Sequence, residues 1–117
     1  MAYHLLVIEP DAGNRAMLVD VLRDAGYQVQ STATVHTALG VLVHKPPAAI
    51  LASLPLPDMP IEHLCQQLQT GHATASIPVI LPGTTREAPP LPTCVYAGFV
   101  AKPFAIDALL TTVAQCL

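Results

Sequence analysis

The clearest hydrophobic pattern in the chain is the apolar run Ala48–Ala52, which has prolines on both sides. The run is too short for a helix, and it lacks the polar alternation of a strand with one face in water. Strands that are buried on both faces, in the middle of parallel sheets, have this continuous apolar pattern. We therefore predict a central strand here, with Ser53 at its end and a proline-rich loop after it.

Apolar strands and amphipathic helices alternate along the rest of the chain. The predicted strands are His4–Ile8, Tyr27–Gln30, Ala48–Ala52, Ile77–Leu81 and Gly98–Ala101. Four helices are predicted from apolar positions at helical spacing: Met17, Leu18, Val21, Leu22 and Ala25; Val35, Ala38, Leu39 and Leu42; Ile61, Leu64, Cys65 and Leu68; Ile106, Leu109, Leu110 and Val113. Such βα repeats with right-handed crossovers give a parallel sheet with helices on both faces.

Several residues predict where these helices begin and end. Gly26 and Gly71 are placed to end the first and third helices. Thr32 or Thr34 can cap the second helix, which must end before Pro46 because a residue before proline avoids helical angles.

One interval departs from the alternation. Pro89, Pro90 and Pro92 lie where a fourth helix is expected between the last two strands. A proline inside a helix costs about 3 kcal/mol because it removes a hydrogen bond and clashes with the preceding turn. We therefore predict that residues 82–97 are mainly irregular, with at most one helical turn before Pro89, so that the fourth helix is shortened or lost.

Composition narrows the classes of function. Hydrophobic residues make up 52% of the 117 residues and charged residues only 11%. No apolar run approaches the ~20 residues that cross a bilayer, and the N-terminus does not resemble a signal peptide, so we expect no membrane insertion and a cytoplasmic location. A net charge of −3 with five Lys and Arg argues against direct binding of nucleic acid. So few charges leave room for an apolar surface patch, which favours a protein partner.

Cysteines and histidines give no sign of a metal site. Cys65, Cys94 and Cys116 lack paired or metal-type spacing, and we expect reduced, mostly buried thiols. The histidines are His4, His36, His44, His63 and His72, and no two of them are three or four residues apart on one helix.

Five short motifs, in this order, make the chain resemble the receiver domain of bacterial two-component response regulators. They are Asp11–Arg15, Asp24–Tyr27, Leu56–Met59, Ile77–Ile80 and Lys102–Phe104. The resemblance implies an α/β fold of the flavodoxin-like, doubly wound type, with a five-stranded parallel sheet in the order 2-1-3-4-5. It covers residues 1–117 as a single receiver-like domain, which either stands alone or belongs to a longer protein.

The family accepts a phosphoryl group on an aspartate at the end of its third strand, beside a bound Mg²⁺. Placed residue by residue, the acceptor position falls on Ser53, and the acidic pair after the first strand becomes Glu9-Pro10. The hydroxyl residue after the fourth strand becomes Gly83, or Thr84 if the loop shifts by one residue. Lys102 keeps the family's lysine, and Phe99 takes the place of its switching aromatic residue.

These departures imply that the phosphoacceptor pocket is degenerate. Pro10 replaces the acid that binds the metal directly, and Mg²⁺ needs anionic oxygen ligands. We therefore expect no catalytic residue, no metal and no cofactor, with Ser53 as a small residue in a vacated site. Lys102 is expected to pair with Glu9. Asp11 and Asp58 lie near the pocket, and we interpret them as a helix cap and a turn residue.

The chain is thus interpreted as a non-phosphorylatable pseudo-receiver of the two-component or phosphorelay type. It is expected to be a protein–protein interaction module, not an enzyme, and to bind a protein partner or a second copy of itself. Two alternatives remain open: a flavodoxin-like domain that binds a small ligand, and a receiver that is switched by modification at Ser53. Against the first, Glu9–Asn14 offers one glycine and no hydroxyl-rich phosphate loop.

Overall fold

The computed structural model describes residues 3–53, 58–71, 74, 77–83, 98–101 and 106–117. Its strands are β1 His4–Ile8, β2 Gln28–Thr32, β3 Ala49–Ala52, β4 Val79–Gly83 and β5 Gly98–Ala101. Its helices are α1 Ala12–Asp24, α2 Val35–His44, α3 Ile61–Thr70 and α4 Ile106–Cys116. No helix in the described part of the chain is long and apolar enough to span a membrane.

The five strands form one sheet in the order β2-β1-β3-β4-β5, and every neighbouring pair is parallel. This is the predicted flavodoxin-like, doubly wound arrangement. β3 lies between β1 and β4, with Leu6 opposite Ile50 and Ile50 opposite Val79. The predicted loss of a helix between β4 and β5 falls on residues 84–97, outside those that the structure describes.

The core consists of two apolar layers, one on each face of the sheet. In β1, Leu6 and Ile8 pack with α2 and α3, whereas Leu5 and Val7 pack with α1 and α4. All four side chains are fully buried. Side chains alternate between the two faces of a strand, so a strand covered on both faces has the continuous apolar pattern of β1 and β3. Each buried Leu or Ile contributes roughly 1.5–3 kcal/mol.

The ends of α1 follow from local sequence. The carboxylate of Asp11 accepts a hydrogen bond from the Asn14 N–H at 2.7 Å, so the expected cap at this end is present. At the other end Gly26 adopts φ +99°, which a residue with a Cβ rarely adopts, and its N–H donates to the Arg23 carbonyl. The prediction that Gly26 ends this helix is confirmed.

At the start of α2 the structure decides between two candidate caps. Thr34 is the cap, and its hydroxyl accepts a hydrogen bond from the Thr37 N–H at 3.3 Å. The Thr32 hydroxyl donates instead to the Thr34 carbonyl. Gly71 caps the end of α3, as predicted, and its N–H donates to the Leu68 carbonyl.

Two strand boundaries predicted from sequence were wrong at their starts. Tyr27 is not in β2, because its N–H donates back to the Leu22 carbonyl of α1 at 3.2 Å. β2 instead extends to Thr32, whose carbonyl accepts the Glu9 N–H. β3 begins at Ala49, one residue later than predicted.

β4 is shifted by two residues from the prediction. It runs from Val79 to Gly83, so Pro82 and Gly83 belong to a strand and not to the irregular segment in which they were placed. They pair with Val100 and Ala101 of β5. Pairing between β3 and β4 ends at Ile80, and a proline is tolerated where a strand has a neighbour on one side only.

Candidate functional site

The candidate site lies at the carboxyl ends of β1 and β3, which are neighbours in the sheet. Glu9 directly follows β1, and Ser53 directly follows β3. The Ser53 N–H donates to the Ile8 carbonyl at 2.9 Å, and the Glu9 N–H donates to the Thr32 carbonyl at 3.0 Å. The parallel register therefore places Glu9 and Ser53 at the same edge of the sheet, where α/β proteins bind their ligands.

Ser53 is enclosed by the protein. Its side chain is fully buried, and Oγ has no hydrogen-bond partner among the described residues. A buried hydroxyl without a partner costs about 1–3 kcal/mol. A serine becomes a nucleophile when a base accepts its proton, and no such base lies within hydrogen-bond distance of Oγ in the described part of the structure.

Glu9 is the buried carboxylate of the site, with only 3% of its surface exposed. Its Oε2 accepts a hydrogen bond from the Asp11 N–H at 3.2 Å, and its backbone carbonyl accepts one from Arg15 Nη1 at 2.9 Å. These contacts fix the turn between β1 and α1. The expected pairing of Glu9 with Lys102 stays a prediction, because Lys102 lies outside the described residues.

Pro10 and Gly83 occupy the other two altered positions. Pro10 is exposed and lies between Glu9 and the capping residue Asp11. Gly83 is the last residue of β4, opposite Ala101, the last residue of β5. The parallel sheet therefore places Gly83 at the same edge as Ser53. Thr84 lies outside the described residues.

Phe99 belongs to β5, and it pairs with Leu81 of β4. This is the edge strand of the sheet on the side away from β2. Phe99 is the second residue of β5, and its assignment to the place of the family's switching aromatic residue stays a prediction.

The donor set at this site does not fit Mg²⁺. That ion requires near-octahedral oxygen coordination, and proteins usually supply carboxylates for it. The Asp11 carboxylate is engaged in capping α1, and Pro10 has no side-chain oxygen. No group of three or more His, Cys, Asp or Glu residues that could bind a metal occurs within the described ranges.

Asp58 has a structural role that the sequence analysis missed. It was interpreted as a turn residue, but its two carboxylate oxygens accept hydrogen bonds from the backbone N–H groups of Val35, at 3.1 Å, and His36, at 2.9 Å. Desolvation acts to raise the pKa of Asp58, but the backbone hydrogen bonds from His36 and Val35 outweigh it and lower the pKa below its usual value. The segment after β3 is thereby joined to the start of α2.

Comparison with known proteins identifies the same family as the sequence motifs do, over nearly the whole chain. The sequence profile of the response regulator receiver domain matches residues 5–114. No curated protein matches the chain at a significant level.

Solved structures resemble this fold closely. The chemotaxis response regulator CheY4 of Vibrio cholerae is 21% identical, with a TM-score of 0.89 and full coverage of both chains. The receiver domain of a signal transduction histidine kinase from Syntrophus aciditrophicus is 25% identical, with a TM-score of 0.88 and coverage of 99% of this chain and 90% of that chain.

A third similar structure holds a metal. The receiver domain of the sensor histidine kinase PA1611 from Pseudomonas aeruginosa is 19% identical, with a TM-score of 0.86 and coverage of 98% of this chain and 97% of that chain. That protein coordinates a magnesium ion in its active-site cleft.

Proposed function

The chain belongs to the family of response regulator receiver domains, and we propose that it is a receiver that does not accept a phosphoryl group and that acts in two-component signalling as a protein-interaction module. The observation that carries this proposal is Ser53, a fully buried and uncharged residue at the end of β3.

Phosphoryl transfer needs a nucleophile and a means to neutralise the charge on the transferring group. The Ser53 hydroxyl is protonated at neutral pH, and it has no base beside it among the described residues. It is also inaccessible to a modifying enzyme in the folded state, because none of its side chain reaches the surface. Both points weigh against Ser53 as a phosphorylated switch.

The site also has few groups that could neutralise the negative charge of a transferring phosphoryl group. Glu9 supplies one carboxylate, which already accepts the Asp11 N–H. Pro10 supplies no side-chain ligand, and Gly83 supplies no hydroxyl that would bind a phosphate oxygen. Lys102 keeps the family's lysine, but one lysine does not replace a divalent ion and its carboxylate ligands.

The interaction role rests on the surface of the chain. Among the described residues, the exposed large hydrophobic side chains are Tyr3, Met17 and Ile106, with 53%, 37% and 51% of their surface exposed. In the sequence of α4 the single charged residue is Asp107. A sparsely charged surface favours protein contacts. We propose constitutive association, through α4 with the proline-rich loop or through α1.

The test is exposure to a small phosphodonor with Mg²⁺, followed by intact mass measurement. The chain should gain no phosphate, and Ser53→Asp should gain none either, because Pro10 and Gly83 still lack their functional groups. A mass increase of one phosphate that maps to Ser53 would overturn the proposal. Purified protein should also be colourless and free of bound nucleotide, which distinguishes it from a flavodoxin-like ligand-binding domain.

A further inference from the structure

A shallow groove runs along the outer side of α2, next to the edge strand β2. It has a volume of about 490 Å³, and mostly apolar atoms line it. The lining residues are Gln30, Thr37, Gly40, Val41, His44 and Lys45. The carbonyl of Val29 in β2 accepts a hydrogen bond from Arg23 Nη2 at 3.0 Å, which covers part of the strand edge. The groove therefore suits a helix better than an added strand.

Gly40 forms the open floor of this groove. It is exposed in the middle of α2, and a Cβ at this position would meet no atom within 4 Å. A glycine inside a helix costs about 1 kcal/mol relative to alanine. At Gly40 the missing side chain leaves room for a side chain from another helix to approach the α2 backbone.

The stretch of sequence that forms the groove contains no acidic residue, and the Asp58 carboxylate contacts α2 at the opposite end from His44 and Lys45. No Asp or Glu occurs between Asp24 and Asp58, although the chain has eight acidic residues and a net charge of −3. His44 and Lys45 are exposed at one end of the groove. This distribution suits an apolar side chain that is accompanied by acidic ones.

The exposed face of α1 has that combination. Met17 is exposed, and so are Asp20 and Asp24, which follow it at the i+3 and i+7 positions and share its face. With a rise of ~1.5 Å per residue, Met17 and Asp24 are ~10.5 Å apart along the axis, and Gly40 and Lys45 are ~7.5 Å apart. The difference is within the reach of a lysine side chain.

We propose that the groove on α2 binds α1 of a second copy of this chain, with Met17 over Gly40 and with Asp20 and Asp24 beside His44 and Lys45. The two helices run in the same direction in this contact. α1 and α2 pack on opposite faces of the sheet, so α1 cannot reach the groove of its own molecule. This contact names the partner for the proposed interaction module. It rests on the proposed function in one respect, which is that association requires no phosphoryl group.

The contact joins two different surfaces, the groove on α2 of one copy and the exposed face of α1 of the other. A head-to-tail contact leaves one free groove and one free α1 at the ends of every assembly. In wild type, the weight-average mass in sedimentation equilibrium should rise with concentration without stopping at a dimer. Higher salt should reduce the association, because the acidic and basic side chains are exposed.

Two variants separate the two halves of the contact. Met17→Lys replaces the apolar side chain with a cation that lies in the same groove as His44 and Lys45. Gly40→Leu fills the groove with a side chain whose Cβ clashes with no atom of its own molecule. Each change should lower the apparent association constant about tenfold or more, as expected for a central anchor. A 1:1 mixture of the two variants should form a dimer and nothing larger, because each chain retains the half that the other has lost.

Charge reversal and a matched control complete the test. Lys45→Glu should weaken association, and Asp24→Lys in the same chain should restore part of it. Ile106→Lys makes the same change as Met17→Lys on an exposed residue of α4, and it should have no effect.

Three results would overturn the inference. They are a wild type that stays monomeric at high concentration, association that neither Met17→Lys nor Gly40→Leu reduces, and a mixture of the variants that associates no better than each alone. Phosphoryl uptake is measured separately on the same sample. A monomer without uptake overturns this inference alone, whereas uptake on Ser53 overturns the proposed function alone.

Discussion

The Ser53 hydroxyl gives up hydrogen bonding with water and receives no replacement among the described residues. This is an unfavourable arrangement in a folded protein. The proposed function accounts for it, because there Ser53 is a small residue that fills space and takes no part in chemistry. The residue then contributes little to stability through its oxygen.

We expect Ser53→Ala to leave the free energy of unfolding unchanged or to raise it by up to about 1 kcal/mol, because the substitution removes an unsatisfied buried hydroxyl. Urea unfolding of the variant and wild type checks this. A loss of more than about 1 kcal/mol would contradict it, since a loss of that size indicates a hydrogen bond to Oγ.

His4, at the start of β1, provides a prediction about pH. Burial lowers the pKa of His4 from its usual 6.5, and the charge of Lys45 lowers it further, against a hydrogen bond with Gln30 that raises it. The unfolded chain therefore binds a proton at a higher pH than the folded chain does. Stability should be fully present above pH 6.5 and should fall as the pH drops from there towards the lower, folded-state pKa.

Urea midpoints of wild type and His4→Gln, compared between neutral and mildly acidic pH, measure this effect. The variant should lose less stability than wild type as the pH falls. An identical slope in His4→Gln and wild type would refute the assignment to His4.

Among the elements, α2 depends on a residue that is distant in sequence. Thr34 caps it locally, and Asp58 accepts two further N–H groups, from Val35 and His36, at its N-terminus. A carboxylate at this end also interacts favourably with the helix dipole. The start of α2 is therefore joined to the segment that follows β3 and Ser53.

We expect Asp58→Ala to lower the free energy of unfolding by about 1 kcal/mol, the usual effect of losing a helix cap. Amide exchange at Val35 and His36 should become faster. Asp20→Asn, an exposed change in the interior of α1, serves as the control and should have little effect. Unchanged exchange at these two amides would show that Thr34 alone holds this end of α2.

Features that depend on neighbouring residues could be predicted from the sequence. The cap at Asp11, the helix end at Gly26 and the buried strands β1 and β3 all follow from local patterns. The role of Asp58 could not, because its partners lie 22 and 23 residues away. The extent of β4 could not either, because Pro82 is tolerated only through the way in which the neighbouring strands pair.

The candidate site, too, could be predicted in part from the sequence. The order of strands and helices was sufficient to bring Glu9 and Ser53 to one edge of the sheet. The enclosure of Ser53 could not be predicted, because it depends on packing from several elements at once. The role of Lys102 still depends on the resemblance to the family.

On the scale of the whole molecule, the proposed function predicts that association is independent of Ser53. In that proposal no phosphoryl group is attached at Ser53 to change the surface of the domain. Ser53→Ala should therefore leave the association constant unchanged in sedimentation. A strong response to this substitution would instead support a switch at Ser53. Thr112→Glu on α4 should also leave association unchanged, because the proposed contact is formed by α1 and the groove on α2.

The central claim is that this receiver does not accept a phosphoryl group. The most direct test is a time course of intact mass with a small phosphodonor and Mg²⁺, with wild type beside the variant Pro10→Asp, Ser53→Asp, Gly83→Thr, which rebuilds the three altered positions. Wild type should show no phosphorylated species at any time, whereas the rebuilt variant should gain one phosphate on residue 53. A phosphorylated wild-type chain would contradict the claim.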